Sequence, residues 1–296
     1  MSQRSKWSLI GIPDHQGVIH VGGRIGTSRG PSAFRSCFAR LKGRDPVQAT
    51  LYECGNVGPI SPDIEENHRN ATDLICNGHR ASGLSVVVGG GHDHGYSHLL
   101  GIYRALEQDL SKNLGDKADS RKIKLGCINI DAHLDVRKPS PTPTSGSPFY
   151  LAIESGVIHP KNFIEFGIQS QCNALELWDY ITLHKIKVIP FEDLRHGKAI
   201  HQFKKALKKI SSACDMVVIS LDLDSAASCF APGVSAPQTE GFSSTDILEM
   251  MEHAGEDPKV GSLGIFELNP EHDIDHQTAR LAATAAYHFV ARALRR

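Results

Sequence analysis

Four short segments of this chain concentrate side chains that bind metals. They are Gly89-Gly90-Gly91-His92-Asp93-His94, Asp131-Ala132-His133-Leu134-Asp135, Asp222-Leu223-Asp224 and Glu267-Leu268-Asn269-Pro270. Gathering so many carboxylates away from water is costly unless cations compensate them. One or two divalent ions would do so. Oxygen-rich donors with few imidazoles suit a borderline-hard ion such as Mn²⁺ better than a thiolate-seeking one. In Asp131-x-His133-x-Asp135 the first, third and fifth side chains point one way if the strand stays extended, and the same period puts Asp222 and Asp224 on one face. The glycine run before His92 lets backbone approach where side chains would crowd it. Asp93 and His94 are read as outer partners that orient His92. A lone D-x-D or G-G-G-H arises often by chance; the combination at separate strand ends is what points to a metal centre.

Two other motif readings fail on context. His92-Asp93 with His272-Asp273 suggests the helical metal-dependent phosphohydrolases, but His92 follows a strand and a glycine run. No G-K-[ST] follows the glycines, which excludes a phosphate-cradling loop of that type.

Positioning these groups requires strands that end at them. Strands are expected at Trp7–Pro13, Leu51–Val57, Leu84–Val88, Ile123–Ile130, Phe163–Ile168, Ile186–Pro190, Met216–Leu223 and Val260–Leu268. Runs such as Ser85-Val86-Val87-Val88 and Met216-Val217-Val218-Ile219 are apolar at successive positions, as strands buried on both faces require. Helical composition fills the intervals at Pro31–Leu41, Asp63–His79, Tyr96–Leu110, Pro148–Glu154, Ala174–His184, Ile200–Ser211, Ser243–His253 and Gln277–Leu294. Ser244 or Thr245 is placed to cap the helix beginning at Asp246, and Asp63, with Glu66 three residues on, to cap another. Strict alternation implies an α/β fold with parallel pairing through right-handed crossovers, for which a closed barrel and an open sandwich both fit. Ligands of such sheets bind beyond the carboxyl ends of the strands. Arg137–Ser147, with three prolines, follows a strand end and reads as an ordered active-site loop.

Composition narrows the class. The 296 residues carry 32 Lys+Arg against 33 Asp+Glu, and this balance argues against a nucleic-acid-coating protein. No apolar run approaches the ~20 residues of a membrane helix, and Met1–Trp7 lacks a signal-peptide pattern. The seven cysteines stand singly, which reads as free thiols of a cytoplasmic protein rather than a disulfide framework or zinc site.

With those residues in view, Gly90–Asp93, Asn129–Asp135 and Ser220–Asp224 resemble the three metal-binding signatures of the ureohydrolases, the arginase–agmatinase–formimidoylglutamase superfamily. The similarity runs from Gly30-Pro31-Ser32-Ala33-Phe34-Arg35 to Asn269-Pro270. It implies a single domain over residues 1–296, built as a three-layer α/β/α sandwich with an eight-stranded parallel sheet, and two Mn²⁺ ions per chain. It further implies that His92, Asp131, Asp135 and Asp222 hold one ion and Asp131, His133, Asp222 and Asp224 the other, with Asp131 and Asp222 bridging. Glu267 matches the glutamate that pairs with a cationic amidine or guanidine. A homo-oligomer acting on a small molecule in histidine breakdown, with no nucleic-acid or membrane partner, completes the implication.

Within the superfamily the chain looks most like the formimidoylglutamases. Asp224 is followed by Ser225-Ala226-Ala227-Ser228 rather than x-x-D-P, and then by Ala231-Pro232-Gly233-Val234-Ser235-Ala236-Pro237. Gly89-Gly90-Gly91-His92-Asp93, Asp135-Val136-Arg137, Ser145-Gly146-Ser147-Pro148-Phe149 and Gly167-Ile168-Gln169 are also similar to theirs, with Ser147 standing where threonine is usual. The reaction implied is hydrolysis of N-formimidoyl-L-glutamate to L-glutamate and formamide. Bound ions would lower the pKa of water, Glu267 would hold the cationic N–C–N group, and Asp135 would carry a proton to the leaving amine. Arg137 is the first choice for the substrate's carboxylates because it binds them bidentately. Ser145, Ser147 and Gln169 complete the expected substrate contacts. The rivals are a guanidino-substrate ureohydrolase that releases urea, a one-zinc deacetylase of related fold, and a non-catalytic ligand-binding protein.

Overall fold

The computed structural model describes residues 6–43, 49–114 and 123–296, so most of the polar N-terminal stretch lies outside the described residues. All eight expected strands form: β1 (Lys6–Gly11), β2 (Thr50–Asn56), β3 (Ser85–Val88), β4 (Leu125–Ile130), β5 (Phe163–Ile168), β6 (Lys187–Pro190), β7 (Met216–Asp222) and β8 (Val260–Phe266). They make one sheet in the order β2-β1-β3-β8-β7-β4-β5-β6, and every pairing is parallel. The sheet has two edges, β2 and β6, and so is open rather than closed into a barrel.

Alternation along the strands builds two cores. Val86 and Val88 of β3 and Val217, Ile219 and Leu221 of β7 face one apolar cluster, whereas Val87 and Val218 face the other. The first core is covered by α2 (Gly30–Phe38), α7 (Ala199–Ala213), α8 (Ser244–Glu256) and α9 (Gln277–Ala293). The second is covered by α3 (Ile64–Ser82), α4 (His94–Leu114), α5 (Pro148–Glu154) and α6 (Leu175–His184). This is the three-layer sandwich, and it explains why the central strands are apolar at successive residues: both faces exclude water. The alanine-dense α9 buries Ala279, Ala282, Ala283, Ala285 and Ala286, whose small side chains allow close contact with α8 and α2.

One helix escapes the periodicity argument. α1 (Gln16–Val21) has six residues, includes a glycine and β-branched residues, and lacks a side-chain cap. Such a sequence has little intrinsic helicity. The left-handed Gly22 that ends it was the readable signal. The cap of α8 also differs from expectation. Ser243, not Ser244 or Thr245, accepts from the Asp246 N–H, while Asp246 accepts from the Ser243 N–H in return. Asp63 caps α3 as expected, through the Glu65 N–H. Replacing Ser243 with alanine breaks the reciprocal pair and should cost about 1 kcal/mol. Urea unfolding should show a lower midpoint with an unchanged slope.

Candidate metal centre

Strands β3, β8, β7 and β4 lie side by side at the middle of the sheet. Their carboxyl ends therefore bring together His92, Glu267, Asp222 with Asp224, and Asp131 with Asp135. The glycine turn after β3 is wedged tightly: a Cβ on Gly90 would sit 1.6 Å from the Asp14 carbonyl oxygen. Gly91 N–H donates to that same oxygen, and Glu267 N–H donates to the Gly90 carbonyl. The turn thus stitches the β1–α1 loop to the end of β8, with His92 projecting from it.

The His92 ring is fixed from three sides. Its Nε2 is 2.9 Å from Ser220 Oγ, Phe266 stacks on it at 4.9 Å, and Phe149 meets it edge-on at 5.4 Å. Its Nδ1 then faces Asp131 Oδ2 at 3.1 Å, Asp135 Oδ2 at 2.9 Å and Asp222 Oδ2 at 3.0 Å. That nitrogen is buried and makes no well-formed hydrogen bond to any of them. Four donors converge on a point that a cation fits and a single proton cannot serve. A second group comprises Asp131, His133 and Asp224, with His133 Nδ1 3.1 Å from Asp224 Oδ2 and 3.5 Å from Asp131 Oδ1. Asp131 belongs to both groups, and Asp222 to the first alone.

The side chains converge by a different route from the extended-strand expectation. β4 ends at Ile130, and Asp135 has a left-handed backbone with φ 47°. β7 ends at Asp222, followed by a single 3₁₀ turn over Leu223–Ser225. In both motifs the first aspartate accepts the backbone N–H two residues on: Asp131 from His133 at 2.7 Å and Asp222 from Asp224 at 2.8 Å. An Asx-type turn, not a pleat, aims the second side chain.

Burial lowers the His92 pKa, but the three carboxylates outweigh it and hold the pKa well above the usual value. His133 is raised in the same way, chiefly by Asp224. Burial pushes Asp222 well up, Asp224 to about 6 against the pull of His133, and Glu267 to about 8 despite the Ser235 hydrogen bond. The His133 and His92 rings beside it outweigh burial at Asp131 and hold it below the usual carboxylate range.

The same cavity, of about 200 Å³, is lined by Glu267, Arg137 and Ser145 as well as by the ligand groups. Glu267 sits at φ 64° and accepts from the His92 N–H at 2.7 Å and from the Ser235 hydroxyl. Ser147 and Gln169 are not brought to this cavity. Ser147 is buried against Thr144, and the Gln169 side chain bonds the Glu240 carbonyl and Gln171. Asp93 and His94 also turn away from the His92 ring, toward His68 and Asp14 respectively. Two contributors were not singled out from sequence. Ser220 had a readable signal, because it shares a strand face with Asp222 two residues on. Ser235 lies in an irregular loop with no such pattern.

The Arginase family model matches residues 5–291. The chain belongs to the arginase family. A formimidoylglutamase of Staphylococcus carnosus is 28% identical over 98% of this chain and 87% of its own length. One of Nocardia farcinica is 30% identical over 96% of this chain and 86% of its own. A structure of Trypanosoma cruzi formiminoglutamase with a Mn²⁺ pair superposes with TM-score 0.85 at 27% identity, covering 98% of this chain and 94% of that one.

The geometry makes the centre sensitive to one hydroxyl and to pH. Ser220→Ala removes the group that orients His92 and should weaken metal affinity about 10–100-fold, measured by titration against a chelator. The acidic groups and histidines with raised pKa stabilise the metal-free fold at low pH. That contribution is lost as pH rises through their folded-state values, from about 6 at Asp224 to about 8 at Glu267. The lowered Asp131 adds no slope there. Because metals need the deprotonated ligands, chelation should lower the melting temperature more at about pH 8 than at about pH 6. Equal drops would contradict these assignments.

Proposed function

We propose that this chain is a manganese-dependent formimidoylglutamase, hydrolysing N-formimidoyl-L-glutamate to L-glutamate and formamide. The observation that carries the reading is the single cavity that joins the two ligand groups, the Glu267 carboxylate and the Arg137 guanidinium. Full-length relatives named formimidoylglutamase, and a formiminoglutamase structure carrying a manganese pair, support the substrate and the ion. His92, Asp131, Asp135 and Asp222 would hold one ion, and Asp131, His133 and Asp224 the other, with Asp222 reaching toward it. When bound, the pair supplies the Lewis acidity that lets water act as a nucleophile near neutral pH.

The remaining work falls to side chains. Glu267, buried and aimed by Ser235 and the His92 N–H, pairs with the cationic formimidoyl group and sets the angle at which water meets its carbon. The C–N bond to the glutamate nitrogen breaks, and the water oxygen stays on the formimidoyl carbon. Asp135, beside His92 on one side and Gly146 on the other, carries a proton to the leaving amine. Arg137, held by its backbone bond to Gly146 and with Ser145 nearby, receives a substrate carboxylate.

A panel of N-formimidoyl-L-glutamate, arginine, agmatine and guanidinobutyrate on Mn²⁺-loaded protein tests this. Formamide and glutamate should form and urea should not; urea from a guanidino substrate would replace the proposal with the rival reading. Asp224→Ala should reduce the rate by more than the about 10–100-fold typical of losing an outer partner.

A further inference from the structure

A second cluster of metal-binding side chains lies outside the paired centre and takes no part in the chemistry above. We infer that His68, Asp93 and His94 hold a third divalent cation, of the zinc class. The three ligating atoms lie within 4.8 Å of one another, and all three residues are buried. Asp93 Oδ2 is 2.8 Å from His68 Nε2 and 3.6 Å from His94 Nε2. Donors about 2.0–2.1 Å from a tetrahedral ion are about 3.3–3.4 Å apart, and the observed separations bracket that edge. Two imidazoles with one carboxylate form a nitrogen-rich set that suits zinc. The paired centre, by contrast, offers one imidazole to each ion.

Three further observations point the same way. Asp93 Oδ1 is buried without a hydrogen-bond partner, a costly arrangement that a nearby cation offsets. Asp14 Oδ2 lies 3.0 Å from His94 Nε2 and is fixed there by Asn67 Nδ2, so the cluster holds two buried carboxylates that one divalent ion neutralises. His94 Nδ1, 3.3 Å from Ser97 Oγ, has an outer partner of the kind that orients a metal ligand. Access exists, because His68 lines a separate cavity of about 320 Å³ between α3 and α4. An ion here would tie α3 to the turn that carries His92. The inference does not depend on the substrate of the paired centre.

Mn²⁺-loaded protein titrated with Zn²⁺ and counted by mass spectrometry should take up one zinc in addition to its manganese pair. Zinc K-edge absorption should report two imidazoles on that zinc and one if zinc has merely entered the paired centre, so the wild-type protein alone decides the matter. His68→Gln keeps a hydrogen-bond donor for Asp93 but removes the ligand; it should lose the additional zinc while retaining the manganese pair and the manganese-dependent rate. No zinc beyond the pair, one imidazole per zinc, or uptake unchanged in His68→Gln would each overturn the assignment and leave a relay of hydrogen bonds.

Discussion

Mutual repulsion among buried carboxylates is the constraint around which this molecule is arranged. Asp131, Asp135, Asp222 and Asp224 all lie at the carboxyl ends of two neighbouring strands, nearly withdrawn from water. Left alone, all of them but Asp131 resist ionisation: burial lifts Asp135, Asp222 and Asp224, and Glu267 beside them, while the histidines among them hold their protons. Divalent ions held by these groups would replace those protons and convert an unfavourable concentration of charge into a bound centre. The apolar framework bears the cost of preorganising it, as the Phe266 and Phe149 rings against His92 illustrate.

The sheet topology is what makes such a concentration possible. The chain runs from β3 to β4 across the positions later filled by β8 and β7, and only the last third of the sequence completes the middle of the sheet. Ligands from widely separated segments thereby meet at one end of four adjacent strands, where parallel α/β sheets place their sites. Glycine turns permit the final approach: at Gly90 the space a Cβ would need is filled by the backbone of Asp14.

Local devices then aim each group. The same Asx-type turn follows both strands that carry the paired aspartates of the candidate metal centre, and left-handed backbone at Asp135 and Glu267 redirects two carboxylates. Positive φ in a non-glycine residue is strained, and strain of this kind persists only where the surroundings over-determine it. At Glu267 those surroundings are visible as the His92 N–H and the Ser235 hydroxyl, which bind both of its oxygens.

Much of this was legible in the order of residues. Successive apolar positions in β3 and β7 identify strands buried on both faces, and the combination of D-x-H-x-D, D-x-D and the glycine-histidine turn at separate strand ends points to a metal centre, because each pattern depends on spacing within a few residues. Arg137 and Ser145 reach the cavity as the loop after β4 suggested, whereas Gln169 and Ser147, equally suggestive by motif, are bonded elsewhere. The open sandwich was already implied by the resemblance, whereas the adjacency of β3, β8, β7 and β4, the service of Ser235 to Glu267 and the divergence of Asp93 from His92 came only with the tertiary structure. Each depends on contacts between residues distant in the chain, whose geometry is set by how whole layers pack and leaves no periodic trace in the sequence.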